Sequence, residues 1–121
     1  MNKKRILILE DNEERNKQFH SNFSNAEIVI TDNVEVAKKK LIEEKWDALF
    51  LDHDLGGKVY VESGGSEPTG YDVAKFLSIN TQFKPECIIL HSLNESGRKN
   101  MLALVPEARE IPFVWTMPMD F

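Results

Sequence analysis

Short apolar segments recur along the chain, and longer segments with helical periodicity separate them. Because the apolar segments are rich in β-branched and aromatic side chains, we interpret them as buried strands; they are residues 5–10, 26–31, 47–52, 85–92 and 111–117. The segments between them predict helices over residues 12–23, 32–45, 70–79 and 94–105, the second opened by a capping box from Asp32 to Glu35. This alternation predicts an α/β fold, a three-layer sandwich in which helices cover both faces of a parallel sheet.

The composition predicts one soluble domain over residues 1–121. Of these residues, 41% are hydrophobic, which is enough for a core without disulfides. The net charge of −5 excludes the general positive field that binds long nucleic acid. A few local cations would still suffice to bind a single phosphate group. Cys87 is the only cysteine, and the apolar run 6–9 is too short for a signal peptide or a membrane span. We therefore expect a cytoplasmic protein that does not contact membranes.

Acidic side chains lie at the ends of two of the predicted strands, residues 5–10 and 47–52. Asp11, Asp52 and Asp54 are interpreted as one carboxylate cluster, because ligands of parallel sheets bind beyond the carboxyl ends of the strands. Clustered carboxylates repel each other unless a cation or a proton intervenes, so the cluster predicts Mg²⁺ or another divalent cation. The alternative is that these acids cap helix starts and strand ends.

Two histidines are candidates for proton transfer. His91 follows four apolar residues and is expected at the carboxyl end of the sheet, where its imidazole would titrate near neutrality. The alternative is a histidine that bonds to a backbone carbonyl. His53 stands between Asp52 and Asp54, and strand alternation would turn it to the opposite face unless the strand has already ended.

Four polar residues belong to the predicted fourth helix or to its start, namely Ser92, Asn94, Arg98 and Asn100. Free N–H groups at a helix start bind phosphate, and an arginine one turn later can add a bidentate contact. The alternatives are that Ser92 or Asn94 caps the helix and that Arg98 is a solvated charge.

Nearly the whole chain resembles the receiver domain of two-component signalling. The matching residues are Glu10 and Asp11, Asp52 at the position of the phosphoacceptor aspartate, and Gly70 at the start of the third helix. The resemblance implies a flavodoxin-like sheet with strand order 2-1-3-4-5.

The chain also departs from the receiver pattern. Met117 stands where receivers carry a lysine, and His91 stands where they carry threonine or serine. A glycine-rich insert, residues 55–69, precedes Gly70, and the sequence leaves no room for the usual fifth helix.

The segments LDHDLGG (51–57), PTGYDVAKFL (68–77) and HSLNESGRKNM (91–101) resemble a narrower family, the receiver-derived domains that process cyclic phosphates. This resemblance implies a phosphoesterase-like activity on a nucleotide or an RNA end with a 2′,3′-cyclic phosphate. His91 and His53 would then supply the acid and the base, in either order, beside Asp52. Arg98 would stabilise negative charge on the phosphate. The alternative is an atypical receiver or a non-catalytic interaction module, against which Met117 argues because it lacks the charge that contacts a phosphoryl group.

The missing fifth helix has a structural consequence. Without it, apolar side chains of the last two predicted strands lack a cover on one face of the sheet, and a large exposed apolar face is uncommon for a monomer. We therefore expect a homodimer in which Phe113 or Trp115 lies at or beside the contact.

Overall fold

A five-stranded parallel sheet forms the centre of the molecule. The structure is a computed structural model, and it describes residues 3–55 and 61–111. The strands are β1 (Arg5–Leu9), β2 (Glu27–Thr31), β3 (Ala48–Leu51), β4 (Cys87–Leu90) and β5 (Arg109–Glu110). Their order is β2-β1-β3-β4-β5, and all neighbours are parallel. The predicted fold class and strand order are confirmed.

Four α-helices and one short 3₁₀ helix connect the strands. They are α1 (Glu13–Asn22), α2 (Val34–Glu43), α3 (Gly70–Ile79), the 3₁₀ helix Thr81–Phe83 and α4 (Glu95–Leu104). The start of α2 differs from the prediction, because its N-cap is Asn33 rather than Asp32. Asn33 Oδ1 accepts from the Val36 N–H at 3.0 Å. None of the described helices has the length and apolarity needed to cross a membrane.

The strands bury side chains on both faces of the sheet. On one face, Phe19 of α1 packs with Ile8, Phe50 and Ile89. On the opposite face, the apolar sides of α2, α3 and α4 cover the alternate strand residues. Burial on both faces explains why the strands read as continuous apolar runs rather than as an alternating pattern.

The last strand begins earlier than predicted. Main-chain pairing with β4 starts at Arg109, which lies opposite Ile89, two residues before the apolar run that predicted the strand. Hydrogen bonding, not side-chain polarity, therefore defines this end of the sheet. The rest of the predicted strand, with Phe113, Trp115 and Met117, lies outside the described residues, and so does the predicted dimer contact.

Helix α3 starts in direct contact with the end of β3. The Gly70 N–H donates to the His53 carbonyl at 3.0 Å, and a Cβ at Gly70 would lie 1.9 Å from the Asp52 carbonyl oxygen. A capping box fixes this start, because Thr69 accepts from the helix and Asp72 accepts from the Thr69 N–H. Only glycine allows the helix to approach the strand this closely.

We expect Gly70→Ala to lower the free energy of unfolding by about 3 kcal/mol, because the new methyl group overlaps backbone atoms that cannot move independently. Urea denaturation measures the effect. Gly65→Ala is the matched control, because a Cβ there would meet its nearest atom at 3.6 Å. Equal effects of the two substitutions would contradict this account of the helix start.

Candidate active site

Three polar side chains meet at the carboxyl end of the sheet. Glu10, Asp52 and His91 each follow directly after one of the neighbouring strands β1, β3 and β4. They are 1%, 3% and 0% exposed, and each offers a ligand atom within 4.8 Å of the others. His91 Nε2 lies 2.8 Å from Glu10 Oε1. We call these three residues the buried cluster.

Main-chain hydrogen bonds set the positions of the buried cluster. The Asp52 N–H donates to the Leu9 carbonyl at 3.0 Å, and the His91 N–H donates to the Leu51 carbonyl at 3.1 Å. The sheet pairing therefore continues one residue past the assigned strands. This continuation aligns three side chains that are far apart in the sequence.

The imidazole of His91 lies in an apolar environment on the α1 face. Its ring contacts Phe19 edge-on at 5.3 Å and lies 6.1 Å from Phe50, between ring centroids. Burial lowers the pKa of His91 to about 4, although the charge of Asp52 opposes this shift. The imidazole is therefore neutral at pH 7.

The two carboxyl groups of the buried cluster resist ionisation. Burial raises the pKa of Asp52 to about 7, with a further contribution from Glu10, against the effects of His91, Arg15 and a hydrogen bond from Ser92. Burial also raises the pKa of Glu10, although its Oε2 accepts two backbone N–H groups at 3.0 Å. Near neutral pH the cluster therefore retains protons that exposed carboxyl groups would lose.

Arg15 is the cation beside the buried cluster. Its Nε lies 3.7 Å from Glu10 Oε1, and its charge lowers the pKa values of Asp52, Glu10 and His91. Arg15 is not among the site residues predicted from the sequence. Its position depends on how α1 packs on the sheet, and no local pattern carries that information.

A second polar group lies on the opposite face of the sheet. The His53 ring packs against α4 so closely that a Cβ at Gly97 would lie 2.4 Å from its Cγ. His53 Nδ1 lies 2.8 Å from Asp54 Oδ1, and Nε2 lies 2.7 Å from Ser63 Oγ. Strand alternation thus continues past Leu51. We call His53, Asp54, Ser63 and the bonded Asn94 the His53 network.

Of the three acids predicted as one carboxylate cluster, Asp52 is the one that lies in the buried cluster. Asp54 belongs to the His53 network, because its Oδ1 accepts from the Asn94 side chain at 3.0 Å and the Val61 N–H at 3.2 Å. Asp11 is not one of the three residues whose ligand atoms lie within 4.8 Å of one another, but its carboxyl group lies close enough to Glu10 to raise the pKa of Glu10. Glu10 completes that set, and the receiver-like acidic pair was the signal that pointed to it.

The polar residues of the α4 region bond within the chain. Asn94 caps α4 through its Oδ1, and Ser92 Oγ accepts from the Asn94 N–H at 3.1 Å. Arg98 donates to the Ser92 carbonyl at 2.8 Å and to Glu110 at 3.2 Å. Asn100 donates to Ser63 Oγ at 2.9 Å. These bonds connect the insert and the ends of β4 and β5 to α4.

A cleft of about 440 Å³ lies between the start of α2 and residues 65–68 of the insert. Its walls carry several carboxyl groups and a single lysine, Lys38; the acids are Asp32, Glu35, Glu67 and Asp72. This charge distribution repels an anion.

We expect Asp52→Asn to stabilise the EDTA-treated protein more at pH 8 than at pH 5. A carboxyl group whose pKa rises on folding stabilises the fold at low pH, and this contribution is lost as pH rises through about 7. The difference between variant and wild type should grow by roughly 2 kcal/mol between the two pH values. His91 shifts in the opposite direction, but it is present in both proteins.

Urea denaturation at both pH values measures this difference. Asp32→Asn, which removes an exposed carboxyl group at the start of α2, is the control. A stability difference that does not change with pH would show that Asp52 is not desolvated as described.

Comparisons with known proteins agree with this architecture. Residues 5–107 match the sequence profile of the family described as cyclic-phosphate processing receiver domain. No curated protein sequence matches significantly.

Solved structures of receiver domains resemble the chain in fold. The Mn²⁺-bound form of response regulator Rcp1 is 16% identical, with a TM-score of 0.71 over 94% of this chain and 84% of that chain. The chemotaxis response regulator CheY4 of Vibrio cholerae is 13% identical, with a TM-score of 0.68 over 94% and 91%. The receiver domain of the LuxO repressor protein from Vibrio parahaemolyticus is 17% identical, with a TM-score of 0.66 over 94% and 82%.

Identities this low show that the fold is shared, and they give no information about shared chemistry. The profile match is more specific, because it spans most of the chain, including the segments that carry the buried cluster and the His53 network. The chain therefore belongs to the family of cyclic-phosphate processing receiver domains.

Proposed function

We propose that the protein is a metal-dependent phosphoesterase that opens cyclic phosphates, such as 2′,3′-cyclic RNA ends or cyclic nucleotides. The observation that carries this proposal is the buried cluster, Glu10, Asp52 and His91, at the carboxyl end of the sheet in a chain of this family. Ligands of open parallel sheets bind beyond this end.

The buried cluster fits a divalent cation. Two carboxylates and a neutral imidazole offer ligand atoms within 4.8 Å of one another, and a cation would replace the proton that burial holds on Asp52. A mixed oxygen and nitrogen set suits Mn²⁺ or Zn²⁺ better than Mg²⁺, and the related fold of Rcp1 is known in a Mn²⁺-bound form. When bound, the cation would stabilise negative charge on the phosphoryl oxygens.

The metal ligands we propose differ from those predicted from the sequence. Glu10 and His91 join Asp52, and Asp11 and Asp54 are left out. His91 has a lowered pKa of about 4, so at pH 7 it lacks the second ring proton that a general acid would give, and it is a weak base. A ligand role therefore suits His91 better than the acid–base role predicted for it.

His53 is the residue of choice for proton transfer. Asp54 orients its ring through Nδ1, which leaves Nε2 as the reactive nitrogen. Arg15 supplies a fixed positive charge on the other face, beside Glu10. His53 would act as the base and, once protonated, as the acid that protonates the leaving oxygen, while the cation and Arg15 would stabilise negative charge.

The other candidate function is an atypical receiver in which Asp52 accepts a phosphoryl group, and the shared fold supports it. Met117 argues against it, because a methionine side chain lacks the charge that would contact a phosphoryl group.

We expect Mn²⁺ to raise the melting temperature of the EDTA-treated protein, because a ligand that binds only the folded state stabilises it. The shift should disappear in Asp52→Asn and in Glu10→Gln, and it should persist in Asp32→Asn, which removes an exposed acid. Differential scanning fluorimetry measures it. A shift of equal size in all four proteins would contradict the proposed metal site.

We expect the Mn²⁺-loaded protein to open 2′,3′-cyclic nucleotides or RNA with a 2′,3′-cyclic end, and EDTA to abolish the reaction. His53→Gln should lower turnover by ~10²–10⁴-fold, since it removes the proton-transfer group. His20→Gln, which changes an exposed histidine of α1, should leave turnover unchanged. Product analysis by chromatography follows the reaction.

Two results would redirect this proposal. Ring opening that survives both His53→Gln and Asp52→Asn would exclude the assigned groups. A base-labile phosphoryl adduct on Asp52 after treatment with a small phosphodonor, without ring opening of any substrate, would favour the receiver function.

A further inference from the structure

We propose that Ser63 is a nucleophilic, catalytic residue, activated by His53 and oriented indirectly by Asp54. Ser63 Oγ lies 2.7 Å from His53 Nε2, and His53 Nδ1 lies 2.8 Å from Asp54 Oδ1. This is the hydroxyl–imidazole–carboxylate order that activates serine nucleophiles on unrelated folds.

The bonding partners define where the protons are. A carboxylate only accepts hydrogen bonds, so His53 Nδ1 carries a proton and donates a hydrogen bond to Asp54. Nε2 then has a lone pair and accepts the hydroxyl proton of Ser63. Asn100 Nδ2 donates to Ser63 Oγ at 2.9 Å, so a lone pair of the hydroxyl faces Asn100 and its proton points elsewhere. The Ser63 oxygen therefore faces its base in the arrangement needed for deprotonation.

Exposure differs between the three groups in the way that nucleophilic catalysis needs. The His53 side chain is 0% exposed and the Asp54 side chain 14%, whereas Ser63 is only partly buried. The base and its orienting carboxylate are shielded from competing water, and the hydroxyl remains within reach of a substrate.

Contacts from four residues hold His53 in this geometry, either directly or through Asp54. Gly97 of α4 leaves the space that the ring occupies, and Asp54 Oδ1 accepts from the Asn94 side chain and the Val61 N–H as well as from His53. Such support fixes both the tautomer and the rotamer of an active imidazole. A serine that only tied the insert to the domain would not need an oriented base behind it.

The reaction follows from this geometry, and its substrate rests on the proposed function. Ser63 Oγ attacks the phosphorus of the cyclic phosphate, and its proton moves to His53 Nε2. The bond from phosphorus to one ribose oxygen breaks, and that oxygen takes the proton from Nε2. Water then attacks the serine-linked phosphodiester and gives a proton to Nε2, which returns it to the departing Ser63 oxygen. The net reaction adds one water and yields an open phosphomonoester.

An alkyl fluorophosphonate tests the nucleophile without any cyclic substrate. Attack by Ser63 Oγ forms the oxygen–phosphorus bond, expels fluoride and passes the hydroxyl proton to His53. We expect one covalent adduct on the full chain, located at Ser63 by peptide mass mapping and absent in Ser63→Ala. Ser66, an exposed serine of the same insert, is the internal control, and Ser66→Ala should label at the wild-type rate.

The role of Asp54 has its own readout. Asp54→Asn keeps an acceptor oxygen for Val61 but no longer fixes the tautomer of His53, so labelling should slow at least ~10²-fold. The comparison of Ser63 with Ser66 within the wild-type protein does not depend on whether this variant folds. Labelling of Ser63 no faster than Ser66 would overturn the proposal and leave the bond to His53 as a structural tie.

The two proposals fail separately. Ring opening without an adduct at Ser63 would retain the phosphoesterase and remove the covalent step. Rapid labelling of Ser63 without ring opening of any cyclic phosphate would retain the nucleophile and remove the proposed substrate.

Discussion

Desolvation of acidic groups is the constraint on which the site depends. Glu10 and Asp52 end adjacent strands, and the sheet pairing brings their carboxyl groups under the cover of α1. Burial disfavours their charged forms, and the aromatic rings around His91 disfavour an imidazolium that would compensate. Arg15 only partly balances the cluster. The fold therefore holds, at the carboxyl end of its sheet, acidic groups whose ionisation is linked to the arrival of positive charge.

The end of β3 divides the site into two parts. Asp52 and His53 are consecutive, yet one side chain joins the buried cluster and the other packs on α4. The His53 N–H donates to Asp52 Oδ1 at 2.9 Å, so the ionisation of Asp52 strengthens a bond to the residue that carries the proposed base. The charge of Asp52 on one face of the sheet and the position of His53 on the other face are thus connected through a single peptide unit.

The sequence predicted the parts of this protein that depend on local pattern. The bounds of α3, Gly70–Ile79, were predicted as they are, because Pro68 ends the glycine-rich insert and Gly70 marks the start of the helix. Asp52 and His91 were found because each follows an apolar run. Arg15 and Ser63 were missed, since the first depends on helix packing and the second on the path of an irregular insert. Asp54 was misplaced because Asn94 and Val61, distant in sequence, determine the direction of its carboxylate.

The contact between Gly97 and the His53 ring has a consequence for the evolution of the family. A side chain at position 97 and an imidazole at position 53 compete for the same volume, with a separation of 2.4 Å if both were present. The two positions should therefore change together: relatives that carry alanine or a larger residue at 97 must have lost the histidine or moved it. The residue at position 97 alone would then identify relatives that keep the receiver fold but lack the proton transfer proposed for His53.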